Sequence, residues 1–199
     1  MTSDKRPCFP SSRARLSNGV VIDELLAEGK KIRGFWRTAP TGRPHIGYLV
    51  PLIQIAEMVA GGVDFIIYFA DEYSYLINHK YPRGLVAYRT QYYEFLVHAI
   101  IQALGTPQLK DHFVRESDLF HSVKQSGDDL NRLYTLLSID DVLAVSSEMQ
   151  EASMISSLLC PGRQVICEQY LEADFQLGGE DQVGYTSKNS FLSISLFMG

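Results

Sequence analysis

Cysteine is scarce in this chain, and so are long apolar runs and any excess of positive charge. Its three cysteines, Cys8, Cys160 and Cys167, are odd in number and scattered over 199 residues. That excludes a disulfide framework and points to a reducing compartment. Cys160 and Cys167 lack the close spacing of a zinc site, and no nearby histidine completes one. The histidines, His45, His79, His98, His112 and His121, fall at no metal-ligand spacing. No apolar run reaches the ~20 residues of a membrane-spanning helix, so no membrane partner is expected. Lys5, Arg6, Arg13 and Arg15 have no apolar core behind them, which argues against a secretory signal. Asp4 counts against a mitochondrial presequence, and cytoplasm is the expected compartment. With 18 basic and 23 acidic residues the net charge is −5, so the chain shows no global nucleic-acid footprint, though a local basic patch stays open. No serine sits in a Gly-x-Ser-x-Gly elbow. No internal repeat or low-complexity block occurs.

What is present is the alternation of an α/β protein. Residues 1–19 are polar, with Pro7 and Pro10, and are expected to be a flexible arm. Residues 20–199 are expected to form one domain, large enough to bury a core. Val20 to Glu28 reads as a short amphipathic helix ended by Gly29. Lys31 to Trp36 reads as a strand, Leu49 to Ala60 as a helix ended by Gly61-Gly62. Val63 to Ala70 is an almost continuous apolar run, the mark of a parallel strand covered on both faces. Asp71 to Lys80 reads as a loop or short turn of helix. Leu85 to Leu104 is the clearest helix, with an apolar stripe at helical period. His112 to Val114 reads as a third strand and Asp174 to Leu177 as a fourth. Between them, Asp128 to Val145, Glu148 to Leu159 and Pro161 to Tyr170 read as helices. Asp181-Gln182 is expected to open another helix, and the text after Tyr185 has no clear period. The alternation predicts a parallel βαβ array with its ligand crevice at the strand C-termini.

One stretch organises the rest: Trp36-Arg37-Thr38-Ala39-Pro40-Thr41-Gly42-Arg43-Pro44-His45-Ile46-Gly47-Tyr48. A strand, a Pro/Gly turn and a helix start are how an α/β fold builds a phosphate site. The turn exposes backbone N–H groups, and the helix start is partly positive. Gly42 and Gly47 let backbone approach a ligand closely. His45 would then place a donor near a phosphoryl oxygen. The plain alternative is a strand–helix turn with a surface histidine.

Pro-His-Ile-Gly-Tyr at 44–48 resembles the first signature of class I aminoacyl-tRNA synthetases. Three further blocks follow in order: Phe69-Ala70-Asp71-Glu72-Tyr73-Ser74-Tyr75-Leu76, Leu159-Cys160-Pro161-Gly162-Arg163-Gln164 and Leu177-Gly178-Gly179-Glu180-Asp181-Gln182. Together with Tyr92-Tyr93-Glu94, they resemble the catalytic domain of the tyrosyl-tRNA synthetases of eukaryotic and archaeal type, from about Val20 to Tyr185. The resemblance implies a Rossmann-like, doubly wound parallel sheet with helices on both faces. It implies ATP, Mg²⁺ accompanying its phosphates, an amino acid, tRNA and a homodimer. The implied reaction is attack of the amino-acid carboxylate on the α-phosphate, then acyl transfer to tRNA. Thr41, Gly42, His45, Gly47 and Tyr48 are the implied ATP-binding residues, with His45 catalytic. Phe35, Cys160, Gln164, Cys167 and Gln182 are the implied amino-acid positions. Asp71 is either a ligand or a strand-end cap.

The departures carry as much as the matches. The family holds the substrate phenol with a tyrosine and an aspartate, where this chain has Phe35 and Cys167. Cys160 stands for a tyrosine near the α-amino group, Tyr73 for a histidine, Val183 for an arginine. A site built to hydrogen-bond a hydroxyl rejects the analogue lacking it, and tyrosyl synthetases are the familiar example. Losing those partners removes about 0.5–1.5 kcal/mol per neutral bond and about 1.5–3 for a charged one. Neither the Lys-Met-Ser-Lys-Ser loop nor an anticodon-binding domain occurs before Gly199, so the domain is expected to be incomplete at its C-terminal end and its activity impaired. Three functions are therefore expected in competition. They are a tyrosine–tRNA ligase-like protein, a synthetase-like protein of altered amino-acid specificity, and a non-catalytic scaffold or regulatory partner using helices around Leu96 and Leu133.

Overall fold

The apolar run after Gly61-Gly62 and the strand before the Pro/Gly turn lie side by side at the centre of a sheet. The computed structural model describes residues 29–77, 81–106, 109 and 112–178. Among these, β1 (Arg33–Thr38), β2 (Asp64–Phe69), β3 (Phe113–Arg115) and β4 (Phe175–Leu177) pair in the order β3-β2-β1-β4, all parallel. The chain steps outward from β1 to β3, then returns to add β4 on the other side of β1. The β1–β4 border is thus the switch point, where ligands bind in open α/β sheets.

Strand alternation sends successive side chains to opposite faces. Trp36, Phe65, Ile67, Phe69, Phe113, Phe175 and Leu177 share one face. They pack under α1 (Leu49–Ala60), through Leu52, Ile55 and Met58, and under α3 (Arg83–Ala103), through Tyr93, Val97 and Ile101. Phe35, Ile66, Tyr68 and Val114 face the other way. They meet α4 (Glu116–Ser122), α5 (Ser126–Tyr134) and α9 (Cys160–Tyr170) through Phe120, Leu133, Val165, Ile166 and Cys167. Helices thus cover both faces, as expected of a Rossmann-like fold.

Several boundaries differ from the sequence reading. The first strand starts and ends two residues later, because Thr38 still holds Ala70 N–H at 2.8 Å. The segment after β2 is helical at once, as α2 (Asp71–Ile77). The helix read over Asp128 to Val145 is two: α5, then α6 (Ile139–Leu143). Ser138 starts the second, accepting Asp141 N–H while the Asp141 side chain returns to the Ser138 N–H. That reciprocal cap satisfies the first-turn donors locally, so a new helix begins there. Likewise Ser146 caps α7 (Ser147–Gln150), and α8 (Ile155–Leu158) follows after a break. Leu133, expected on a docking surface, is instead fully buried on the α9 face. The segment 1–28, with its predicted arm and amphipathic helix, lies outside the described residues, as do Gln182 and the helix expected at Asp181.

Candidate functional site

The turn after β1 is held from behind by α3. Tyr93 Oη donates to the Gly42 carbonyl at 3.3 Å, and Arg89 Nη1 to the Thr41 carbonyl at 3.0 Å. Tyr48, in the 3₁₀ turn Ile46–Tyr48, contacts Trp36, His45 and Tyr93 edge-on, with ring centroids 5.8, 5.3 and 5.6 Å away. Its hydroxyl lies 3.3 Å from Thr38 Oγ1. Burial beside Tyr48 pushes the Tyr93 phenol well up, so it stays a neutral donor. Sequence reading missed Arg89, and gave Tyr93 no role at the turn. The signal was their place on one helix with the buried Val86 and Val97.

His45 is exposed at the start of the 3₁₀ turn, and its Nδ1 accepts the Gly47 N–H at 3.2 Å. A neutral imidazole that accepts at Nδ1 carries its proton at Nε2, which is left as an outward donor. Gly47 matters here for a local reason: a Cβ there would lie 2.9 Å from His45 Cε1 and Nδ1. The absent side chain lets the imidazole fold over the backbone. Around Gly42 the space is open.

Of the amino-acid positions predicted from sequence, the described ones, Phe35, Cys160, Gln164 and Cys167, lie on the other face of the sheet or on the helix that covers it. Phe35 and Cys167 belong to one buried cluster, with Phe35 edge-on to Tyr68 at 6.5 Å. Gln164 sits one turn before Cys167 on α9 and is 2% exposed. The Cys167 thiol lies 3.0 Å from the Gln164 carbonyl, while Gln164 Nε2 is buried without a partner. Cys160, at the start of α9, is buried too, and burial pushes its thiol up to about 12. Cys167 is pushed up further by the same cause. Neither thiol is a nucleophile at neutral pH. Phe35, Gln164 and Cys167 are thus brought together, while His45 stands apart on the turn beyond β1.

Asp71 has both oxygens engaged. Oδ1 accepts the Ser117 and Glu72 N–H groups at 2.9 and 3.0 Å, and Oδ2 the Ser117 hydroxyl at 2.6 Å. It clamps α2 to α4. That is the cap reading of the sequence, with a tertiary partner added.

Sequence reasoning missed a set of charges on this face. Arg37 follows Phe35 by two residues, so it shares the α9 face, and its register partner is Tyr68. Its guanidinium stacks on the Tyr73 ring at 4.3 Å. Glu116, 1% exposed, accepts Arg163 Nε at 2.8 Å on Oε1 and Tyr73 N–H at 3.0 Å on Oε2. Arg163 lies over the Phe120 ring at 4.1 Å. The alternation of β1 was the available signal: an arginine in phase with a buried phenylalanine. Among the described residues no three His, Cys, Asp or Glu side chains gather as a metal cage.

Comparison with known proteins follows the same geometry. A family model described as "tRNA synthetases class I (W and Y)" matches residues 27–186. The cytoplasmic tyrosine–tRNA ligase of Xenopus tropicalis is 38% identical over 164 residues, 81% of this chain and 31% of that protein. That of Saccharomyces cerevisiae is 34% identical over 170 residues, 84% of this chain and 43% of that protein. This chain therefore spans less than half the length of either. A crystal structure of tyrosyl-tRNA synthetase from Aeropyrum pernix superposes with a TM-score of 0.75 at 27% identity, over 89% of this chain and 52% of that one.

Proposed function

Since the chain belongs to the class I tRNA synthetases, in the tyrosyl group of eukaryotic and archaeal type, we propose that it performs the activation chemistry of that family: formation of an aminoacyl-adenylate from ATP and an amino acid. The carboxylate oxygen bonds to the α-phosphorus, the bond from that phosphorus to the bridging oxygen breaks, and pyrophosphate leaves. The acyl group then passes to the terminal ribose of tRNA. Positioning and charge stabilisation carry such a reaction, with little covalent participation by protein.

In this reading ATP lies over the Thr41–Gly42 turn, with Gly47 and Tyr48 below the nucleotide. The Nε2–H of His45 donates to a phosphoryl oxygen. Gln164, with Gln182, holds the amino and carboxylate groups of the amino acid, a task an amide suits because it both donates and accepts. Phe35 and Cys167 line the side-chain end, and Cys160 lies toward the α-amino group. Mg²⁺, held by the ATP phosphates, would neutralise part of their charge. Cytoplasm is the compartment, as it is for the cytoplasmic ligases of Xenopus tropicalis and Saccharomyces cerevisiae.

The observation that carries the proposal is the hydrogen bond from Gly47 N–H to His45 Nδ1. An imidazole pinned in this way, on the turn beyond β1, leaves Nε2 free to present an N–H donor outward. Amino-acid-dependent exchange of pyrophosphate into ATP tests it. Exchange by the 199-residue chain that falls ~100-fold or more in His45→Ala supports the reading, a loss on the scale of one transition-state donor. Exchange indifferent to His45, or absent from the unmodified chain, overturns it for this chain.

A second reading, a scaffold that pairs with itself or with a longer homologue, is favoured by one surface. Tyr88, Tyr92 and Phe95 on α3 are 74%, 57% and 67% exposed. A monomer at tens of micromolar in light scattering, with no heterodimer on mixing, would set that reading aside.

A further inference from the structure

The side-chain end of the crevice carries more cation than its neighbours neutralise. Arg37 has its Nε buried without a hydrogen-bond acceptor. Its one neutralising carboxylate, Glu116, has Oε1 on Arg163 and Oε2 on the Tyr73 N–H. Two guanidiniums therefore share a single carboxylate, and Arg37 receives charge compensation without a bond. Arg37 as a whole is half-buried, but its Nε lies where water does not reach it, and an unmet donor there is costly, so an anion at this edge would complete the arrangement.

The neighbours of Arg37 repeat the pattern. Gln164 Nε2 is a second buried donor without a partner. The Tyr68 hydroxyl, which faces Arg37 across the β1–β2 register, lies against the Cys167 thiol. Gln176 pairs with Phe35 across β1 and β4, and its Oε1 is a buried acceptor without a donor. A phenol presents one neutral hydroxyl to these groups and leaves the Arg37 charge uncompensated. A carboxylate brings the missing charge and two acceptor oxygens, in the planar form a guanidinium binds best.

We propose that this crevice is an oxyanion receptor built on Arg37, and that it selects an amino acid whose side chain ends in a carboxylate over one ending in a phenol. The proposal rests on the reading of the site as an amino-acid crevice. Phe35 and the buried Cys167 remove the phenol's partners, and Arg37, with the Gln164 amide, supplies donors for a negative end. The stacking of Arg37 on Tyr73 fixes the plane of its fork, so little rotamer freedom is lost on binding.

Calorimetric titration of the full 199-residue chain in phosphate-free, low-salt buffer tests this. The ligands are L-glutamate, L-aspartate, L-tyrosine, L-phenylalanine, pyrophosphate and ATP. The expected result is binding of L-glutamate or L-aspartate at least tenfold tighter than L-tyrosine, lost at least tenfold in Arg37→Met. The melting temperature of that variant reports its folding, and the ligand ranking on the unmodified chain decides even if the variant fails to fold. Tyrosine binding as tight as the acidic amino acids overturns the proposal. Arg37-dependent binding confined to pyrophosphate and ATP also overturns it, assigning the receptor to the nucleotide phosphates. ATP binding without any acidic preference sinks this inference and leaves the activation reading standing. Failure of ATP and of every amino acid to bind sinks both.

Discussion

The two faces of the sheet are built from the same strands and differ in almost everything else. On the face under α1 and α3, the buried groups are mostly apolar: Leu52, Ile55, Phe65, Ile67 and Phe69 are at 0% exposure, with Thr38 and Thr90 as buried hydroxyls among them. On the face under α4, α5 and α9, aromatic and aliphatic groups are interleaved with Arg37, Glu116, Gln164, Tyr68 and two thiols. The first face lowers free energy simply by excluding water. The second carries groups whose desolvation must be offset one by one, and in Arg37, Gln164 and Gln176 it is not fully offset. Apolar burial is thus concentrated on one face, and polar groups with unmet hydrogen bonds on the other.

Substitutions of opposite sign break or sharpen that contrast. Phe65→Ala, on the apolar face, is expected to cost about 3–5 kcal/mol and to lower the urea midpoint accordingly. Glu116→Gln removes the anion between two guanidiniums and should cost about 3 kcal/mol, at the lower end for breaking a buried pair. A loss under 0.5 kcal/mol would mean that solvent reaches the Arg163 pair.

The thiols give a pH dependence confined to the second face. Cys160 is raised from 9.0 to about 12 by burial, and Cys167 is raised too. The unfolded chain therefore releases these protons first, and folding stability, complete below pH 9, falls as pH rises toward 12. Each thiol contributes a slope of about 1.4 kcal/mol per pH unit in that window. Urea midpoints at pH 8 and pH 10 should differ, and Cys160→Ala should reduce the difference.

Arg37→Met has the reverse sign. It replaces a half-buried cation whose Nε has no acceptor by an apolar side chain of similar length, and is expected to raise stability by about 1 kcal/mol without ligand. A fall in the melting temperature would show that Glu116 compensates Arg37 better than the bonding pattern implies. Gly47→Ala, on the exposed turn, is expected to change stability by less than about 0.5 kcal/mol. It should still abolish exchange, because the new Cβ displaces the His45 ring.

Period and punctuation made much of the fold legible. The run from Val63 to Ala70 announced a strand covered on both sides, and Gly61-Gly62 ended the helix before it. The split at Ser138 was also legible, since Ser138 and Asp141 stand at capping-box spacing, but the leucines flanking it kept a helical period that hid the break. Phe35, Gln164 and Cys167 were found as one group through their resemblance to a known site. Arg37, Glu116 and Arg163 were not, because 79 residues separate Glu116 from Arg37 and 47 separate it from Arg163. No local pattern couples residues so far apart.

From its sequence alone this chain determined its class, the places of its four strands and the turn that carries His45, since those depend on short-range preference and on alternation. Only the tertiary structure decided that Arg37 Nε is buried without an acceptor, that Asp71 is bound to Ser117, and that Leu133 is core. Burial, pairing and charge balance are properties of what surrounds a side chain, and that environment exists only after the strands have paired and the helices have closed over them.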